Sequence, residues 1–225
     1  MHASKLPQGR WHSDPVAEQD GRRTQLERRT EAERRVIDAA VRLIARKGSR
    51  AVTLGEVGRE AGYSRGIVHH HFGSREQLLD AVVRHAQRFD VPATEGTALD
   101  RLTAVVRAYL DMAMSRTPAT GAFLLLWAES VAADPVLEPL FAERDTAFRA
   151  DLADVVAQGV ADGSIRADAD PTATGAMLVG LLRGLGMQLL SSTGTSFDDG
   201  LADRTAAFVR AALAGPTPPG GRVAP

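Results

Sequence analysis

The sequence predicts an all-α protein of about nine helices, with an N-terminal three-helix helix-turn-helix unit ahead of a larger helical domain. Apolar residues recur at helical spacing from Val36 to Leu213, and no sustained alternation of period two competes with them. Capping side chains, prolines and glycines punctuate that pattern at intervals suited to helices of ordinary length. Charge is also split: residues 1–90 hold 17 Lys and Arg against 12 Asp and Glu, and residues 91–225 hold 10 against 16. The basic half suits a polyanionic partner, since cations beside phosphates release condensed counterions.

Residues 1–28 contain Pro7, Gly9, Pro15 and Gly21 among many charges, and they read as a disordered basic arm. Thr30 and Glu33 form a capping-box pair, after which Val36, Ala40, Leu43 and Ile44 recur until Gly48 stops a helix of about 17 residues. Thr53 with Glu56, Ser64, and Ser74 with Gln77 open three short helices, the last running to about residue 90. The segment 91–96 breaks the pattern. Leu99, Leu102, Val106, Tyr109 and Leu110 then restart it. Thr117-Pro118, Asp134-Pro135 and Asp170-Pro171 each place a capping side chain ahead of a first-turn proline, and Asp198 or Asp199 opens the last helix. The domains expected are 29–90 and 91–214, with a disordered Pro/Gly-rich tail over 215–225.

Composition narrows the chemistry. Without cysteine there is no disulfide, thiol nucleophile or thiolate zinc site. His69, His70 and His71 are adjacent, and neighbouring helical side chains point about 100° apart, so they are not expected to converge on a metal. The opening residues carry no secretory pattern, and the chain shows no run of about 18 apolar residues, so a cytoplasmic protein without a membrane partner is expected. Nucleophile elbow, phosphate-cradling loop and HExxH are all lacking, which argues against an enzyme, and no cofactor is implied.

The informative segment runs from Thr53 to Phe72. Leu54, Val57 and Ala61 line one face of a first helix, Gly62 permits a sharp turn, and Ser64 caps a second helix anchored by Val68 and Phe72. Tyr63, Arg65, Gly66, Ile67, His69 and His70 then face outward. A cap, a guanidinium in the first turn and a small glycine suit close docking in a major groove.

In Thr53, Val57-Gly58, Ala61-Gly62, Ser64-Arg65-Gly66, His71-Phe72 and Ser74-Arg75-Glu76, the chain resembles the tetracycline-repressor (TetR) family over about residues 30–90. It departs from the family at Tyr63, where an aliphatic is usual, and at His69, where a phosphate-contacting Tyr is usual. The resemblance implies that Thr53, Tyr63, Ser64, Arg65, Gly66, Ile67, His69, His70 and Arg75 face DNA. Arg65 and Ile67 would meet base edges, and Thr53, His69, His70 and Arg75 would hold phosphates. The N-terminal arm could also reach a minor groove.

For the second domain, Tyr109, Met112, Phe123, Trp127, Phe148 and Met177 are candidate walls of an effector pocket, with Glu129, Arg183 and Gln188 as polar orienting groups. Trp127 stands first, because a buried indole N–H wants an acceptor that a ligand could supply. The stretches 171–191 and 199–214 look like the family's dimerisation pair, and Gly175, Gly180, Gly184 and Gly186 suggest close helix approach or a pocket opening. The resemblance therefore implies a homodimeric repressor on a palindromic double-stranded DNA operator, released by a small-molecule effector, with the fourth helix as lever. The alternatives are a ligand-independent regulator or activator and, in another class, an enzyme with an unfamiliar site.

Overall fold

The computed structural model describes residues 16–86, 91, 93–132, 134–191 and 200–216. Among them the fold is all-α, with helices α1 (Val16–Lys47), α2 (Leu54–Ala61), α3 (Arg65–Phe72), α4 (Arg75–Ala86), α5 (Ala98–Met114), α6 (Pro118–Val131), α7 (Leu137–Asp162), α8 (Pro171–Ser191) and α9 (Leu201–Leu213). One isolated bridge, Ile165 to Ala214, is the extended pairing seen among the described residues. With the Gly215 amide donating to the Ser164 carbonyl at 2.9 Å, it ties the end of α9 to the turn after α7.

Most starts follow the capping chemistry. Thr53 and Glu56 make a full capping box, and the Ser64, Thr117 and Asp170 side chains accept from the amides of Ile67, Thr120 and Ala173. The Asp134 carboxylate accepts from the amides of Val136 and Leu137, so α7 begins two residues beyond Pro135. A second capping box, Thr97 with Asp100, opens α5 and was not anticipated from the sequence.

The first helix departs from expectation, for α1 reaches back to Val16 rather than starting at Thr30. Residues 16–29 are rich in Arg, Glu and Gln, which lose little entropy in a helix, and Arg29 pairs with Glu33 at 3.0 Å across one turn. Thr30 and Glu33 thus lie inside a helix instead of capping one. Of the arm read as disordered, residues 1–15 lie outside the described residues, as do 87–90 of the fourth helix, Asp198, Asp199 and the tail from 217.

Two buried clusters fill the molecule. One joins Val36, Ile44, Val57, Val68, Phe72, Leu79 and Val83 of α1–α4 to Phe123, Leu124 and Leu126 of α6 and to Leu137 and Phe141 of α7. The other packs Leu102, Val106 and Tyr109 of α5 with Leu152, Val156, Leu178, Leu182, Ala206 and Val209 of α7, α8 and α9. The core under the helix-turn-helix therefore does not end at residue 90, because α6 completes it. Among the described residues α8 is long and apolar enough to cross a membrane, yet it packs on α7, α5 and α6 and buries Arg183.

Candidate DNA-binding face and effector site

The helix-turn-helix geometry is set by backbone constraints. Gly62 closes α2 in the left-handed region at φ 79°, a conformation with no steric cost for glycine. Gly58 lets the turn pass close, since a Cβ there would lie 2.8 Å from the Tyr63 carbonyl oxygen. On α3, Val68 and Phe72 are buried, whereas Arg65, Gly66, Ile67, His69 and His70 are exposed. This single face gathers most of the residues expected on DNA.

Others are engaged elsewhere. The Thr53 hydroxyl accepts from the Glu56 amide at 3.3 Å and donates to its carboxylate at 3.1 Å. Tyr63 is half-buried against α1, with the Arg35 guanidinium 6.0 Å from its ring centroid. Arg75 turns inward and donates to the Ser49 carbonyl at 2.9 Å.

The Lys47 ammonium, 2.8 Å from Glu56, and the Thr53 amide and hydroxyl hold the Glu56 carboxyl down at about 2. Its native pKa lies below that of an unfolded Glu, near 4.3, so its stabilising contribution is full above the unfolded value and is lost as pH falls toward about 2. Glu56→Gln should flatten that part of the acid-unfolding profile, followed by circular dichroism. An unchanged profile between about pH 4.5 and pH 2 would remove the claim.

In the helical domain the sequence-derived candidates divide. Tyr109 of α5, Phe123 and Trp127 of α6 and Phe148 of α7 surround Arg183 of α8, whose guanidinium carbon lies 5.8, 4.6, 5.8 and 6.0 Å from their ring centroids. Tyr109 and Phe148 stack at 6.4 Å between centroids. Met112 is only half-buried against the α5, α7, α8 and α9 core. Met177 does not join this group: it is 66% exposed, since six helical positions carry it about 240° around α8 from Arg183. Trp127 needs no ligand for its indole N–H, which donates to Asp145 at 2.9 Å.

Arg183 is 3% exposed and donates to Asp145 at 2.8 Å and to the Tyr109 oxygen at 3.1 Å. Burial pushes the Tyr109 phenol up, against the opposing pull of the guanidinium. Sequence reading proposed Arg183 without its partner. Asp145 was missed, because nothing in Glu143-Arg144-Asp145 separates it from a solvated charge run.

Glu129 and Gln188 lie apart from the aromatic group. Gln188 is exposed, and Glu129 accepts from the Ser49 amide at 3.0 Å and from the Ser49 hydroxyl. Trp127 and Glu129 are about 200° apart on α6, so one helix meets Arg183's surroundings on one side and the start of the helix-turn-helix on the other. α6 thus joins the helical domain to the helix-turn-helix, packing on both α1 and α4, the helix expected to make that connection. A separate cleft of about 820 Å³ lies between α1 and α4, lined by Glu33, Ile37, His71, Asp80 and His85 among others.

An exposed second helix of a helix-turn-helix on a helical domain is the arrangement of the bacterial regulators that the chain matches. Residues 36–82 match bacterial regulatory proteins of the tetR family, and residues 98–215 match the C-terminal region of BetI-type transcriptional repressors. The chain belongs to the tetR family of bacterial regulators, with a BetI-type C-terminal region. It is 36% identical over 112 residues to the HTH-type transcriptional regulator BetI of Burkholderia cenocepacia (strain HI2424), covering 47% of this chain and 57% of that protein. The chain spans little more than half the length of the curated relatives it matches. Its fold resembles that of a transcriptional regulator from Saccharomonospora viridis in complex with choline, with TM-score 0.62, 24% identity and coverage of 83% of this chain and 100% of that one. It also resembles AibR in complex with isovaleryl coenzyme A and operator DNA, with TM-score 0.61, 19% identity and coverage of 79% and 97%.

Proposed function

We propose that the chain is a homodimeric, cytoplasmic repressor that places α3 in the major groove of a palindromic operator and leaves it when an effector binds the helical domain. The observation that carries the reading is the outward face of α3, where Arg65, Gly66, Ile67, His69 and His70 are exposed over buried Val68 and Phe72. A guanidinium beside a glycine at a capped helix start can approach base edges, and both histidines can donate to phosphates. Thr53, Ser64 and Arg75 would add contacts to the DNA backbone, Thr53 while keeping its capping box with Glu56 and Arg75 through N–H groups other than the one given to Ser49. The operator DNA bound to AibR, the transcriptional-regulator names of the relatives and the match to the C-terminal region of BetI-type repressors support the same use of the fold.

Two-fold symmetry supplies the palindrome. Met177 of α8 and Phe208 of α9 are each 66% exposed, and a Cβ at Gly180 or Gly184 would meet nothing within 4 Å. Large apolar side chains and open glycines on these helices are what a partner protomer would cover.

The operator is found by selecting DNA from a random pool with the full-length protein, and affinities follow from fluorescence anisotropy. Arg65→Ala and His69→Ala should each leave folding and dimerisation intact, and Arg65→Ala should weaken the selected site by about 1–3 kcal/mol. Two variants that bind as tightly as the parent would overturn the assignment of α3.

A further inference from the structure

An aromatic enclosure of this type ordinarily receives a ligand cation, yet here the chain's own Arg183 fills it. A quaternary ammonium would have to evict a guanidinium that is 3% exposed and ion-paired. What the enclosure lacks is an acceptor. The buried Nε of Arg183 has no hydrogen-bond partner among the described residues, whereas Nη2, on the same edge of the guanidinium, donates to Asp145 at 2.8 Å. Carboxylates pair best with that edge through two parallel bonds, one to each nitrogen. Asp145 does not do this: one of its oxygens accepts from Nη2 and the other from the Trp127 indole at 2.9 Å, and neither reaches Nε. Its side chain is 16% exposed, so it stands at the solvent side of the enclosure and can swing outward.

We propose that the effector is a small carboxylate that displaces Asp145 and takes both Nε and Nη2 of Arg183, its apolar part lying against Trp127 and Phe148. The inference rests on the reading of the chain as an effector-released repressor and names the effector's class. Asp145 is then a tethered stand-in for the ligand, holding Arg183 and Trp127 until a free carboxylate makes the bond to Nε that Asp145 leaves unmade. The exchange conserves charge inside the enclosure, since one carboxylate replaces another beside the same guanidinium. It also frees the Trp127 indole, on the helix whose other side holds Ser49 through Glu129.

The test uses the full-length chain carrying Trp11→Phe, which leaves Trp127 as the remaining one of 2 tryptophans. Benzoate, phenylacetate, hexanoate, choline and tetramethylammonium are titrated at pH 7 while Trp127 fluorescence is read. At least one carboxylate should give a saturable change, choline and tetramethylammonium none. Arg183→Gln should weaken carboxylate binding at least tenfold, and Asp145→Asn, nearly isosteric and still an acceptor, should tighten it. Saturation by choline alone, no response to any carboxylate, or equal carboxylate binding by Arg183→Gln and parent would each overturn the proposal. Anisotropy on the selected operator separates the two readings. Release by choline but not by carboxylates defeats this proposal and leaves the repressor reading standing. A carboxylate that binds at Trp127 without releasing DNA supports the site and defeats the effector-released repressor.

Discussion

Replacing Glu129 with alanine is expected to destabilise the protein by about 2–4 kcal/mol, because it removes the acceptor for both the amide and the hydroxyl of a fully buried Ser49. Each orphaned donor costs about 1–3 kcal/mol, and no other acceptor for them is seen among the described residues. For a chain of 225 residues this corresponds to a fall of about 4–16 °C in the thermal midpoint. The backbone has been shaped around the contact: Gly48 ends α1 at φ 74°, and a Cβ there would lie 2.6 Å from the Glu129 carboxylate. Arg75 fixes the far side of Ser49, so the joint links α6 to the start of α4 and to the turn ahead of α2. Glu129→Gln keeps one carbonyl acceptor and should lose less. A midpoint within about 1 °C of the parent in Glu129→Ala would show that Ser49 is satisfied without α6.

That joint marks the limit of what could be read from the chain alone. Local chemistry was legible: Thr53, Ser64 and Asp170 cap where their side-chain oxygens reach the next turn, and the buried and exposed positions of α3 follow its periodicity. Four of the pocket candidates, Tyr109, Phe123, Trp127 and Phe148, do come together, because large apolar residues at core spacing must meet inside a small bundle. Their organising centre was not legible. Arg183 and Tyr109 are 74 residues apart, Arg183 and Asp145 are 38, and no periodicity pairs a buried guanidinium with one carboxylate among many. The extra turns of α1 were missed for the opposite reason: charged residues looked like an arm, although Glu, Arg and Gln favour helix as readily as they favour solvent.

If the chain is the dimeric repressor proposed above, Gly184→Leu is expected to convert it to a monomer that binds its operator at least about 100-fold more weakly, since linked half-site binding can add 10² or more to affinity. The substitution is chosen because the protomer itself should tolerate it. A Cβ at Gly184 meets nothing within 4 Å in its own chain, and leucine in place of glycine raises helix propensity by nearly 1 kcal/mol. Removing α8 and α9 would not isolate the effect, for Leu178, Leu182, Ala206 and Val209 belong to the protomer's own core. Exposed glycines weaken an isolated helix, so Gly180 and Gly184 gain a physical reason only if a second helix approaches there, next to exposed Met177. Phe208→Asp attacks the exposed surface of α9 independently and should act in the same direction. Sedimentation velocity at micromolar protein reads the oligomer directly, and the thermal midpoint confirms that each protomer stays folded. If Gly184→Leu and Phe208→Asp both sediment as the parent does, α8 and α9 are not the dimer face, and the palindrome must rest on another surface.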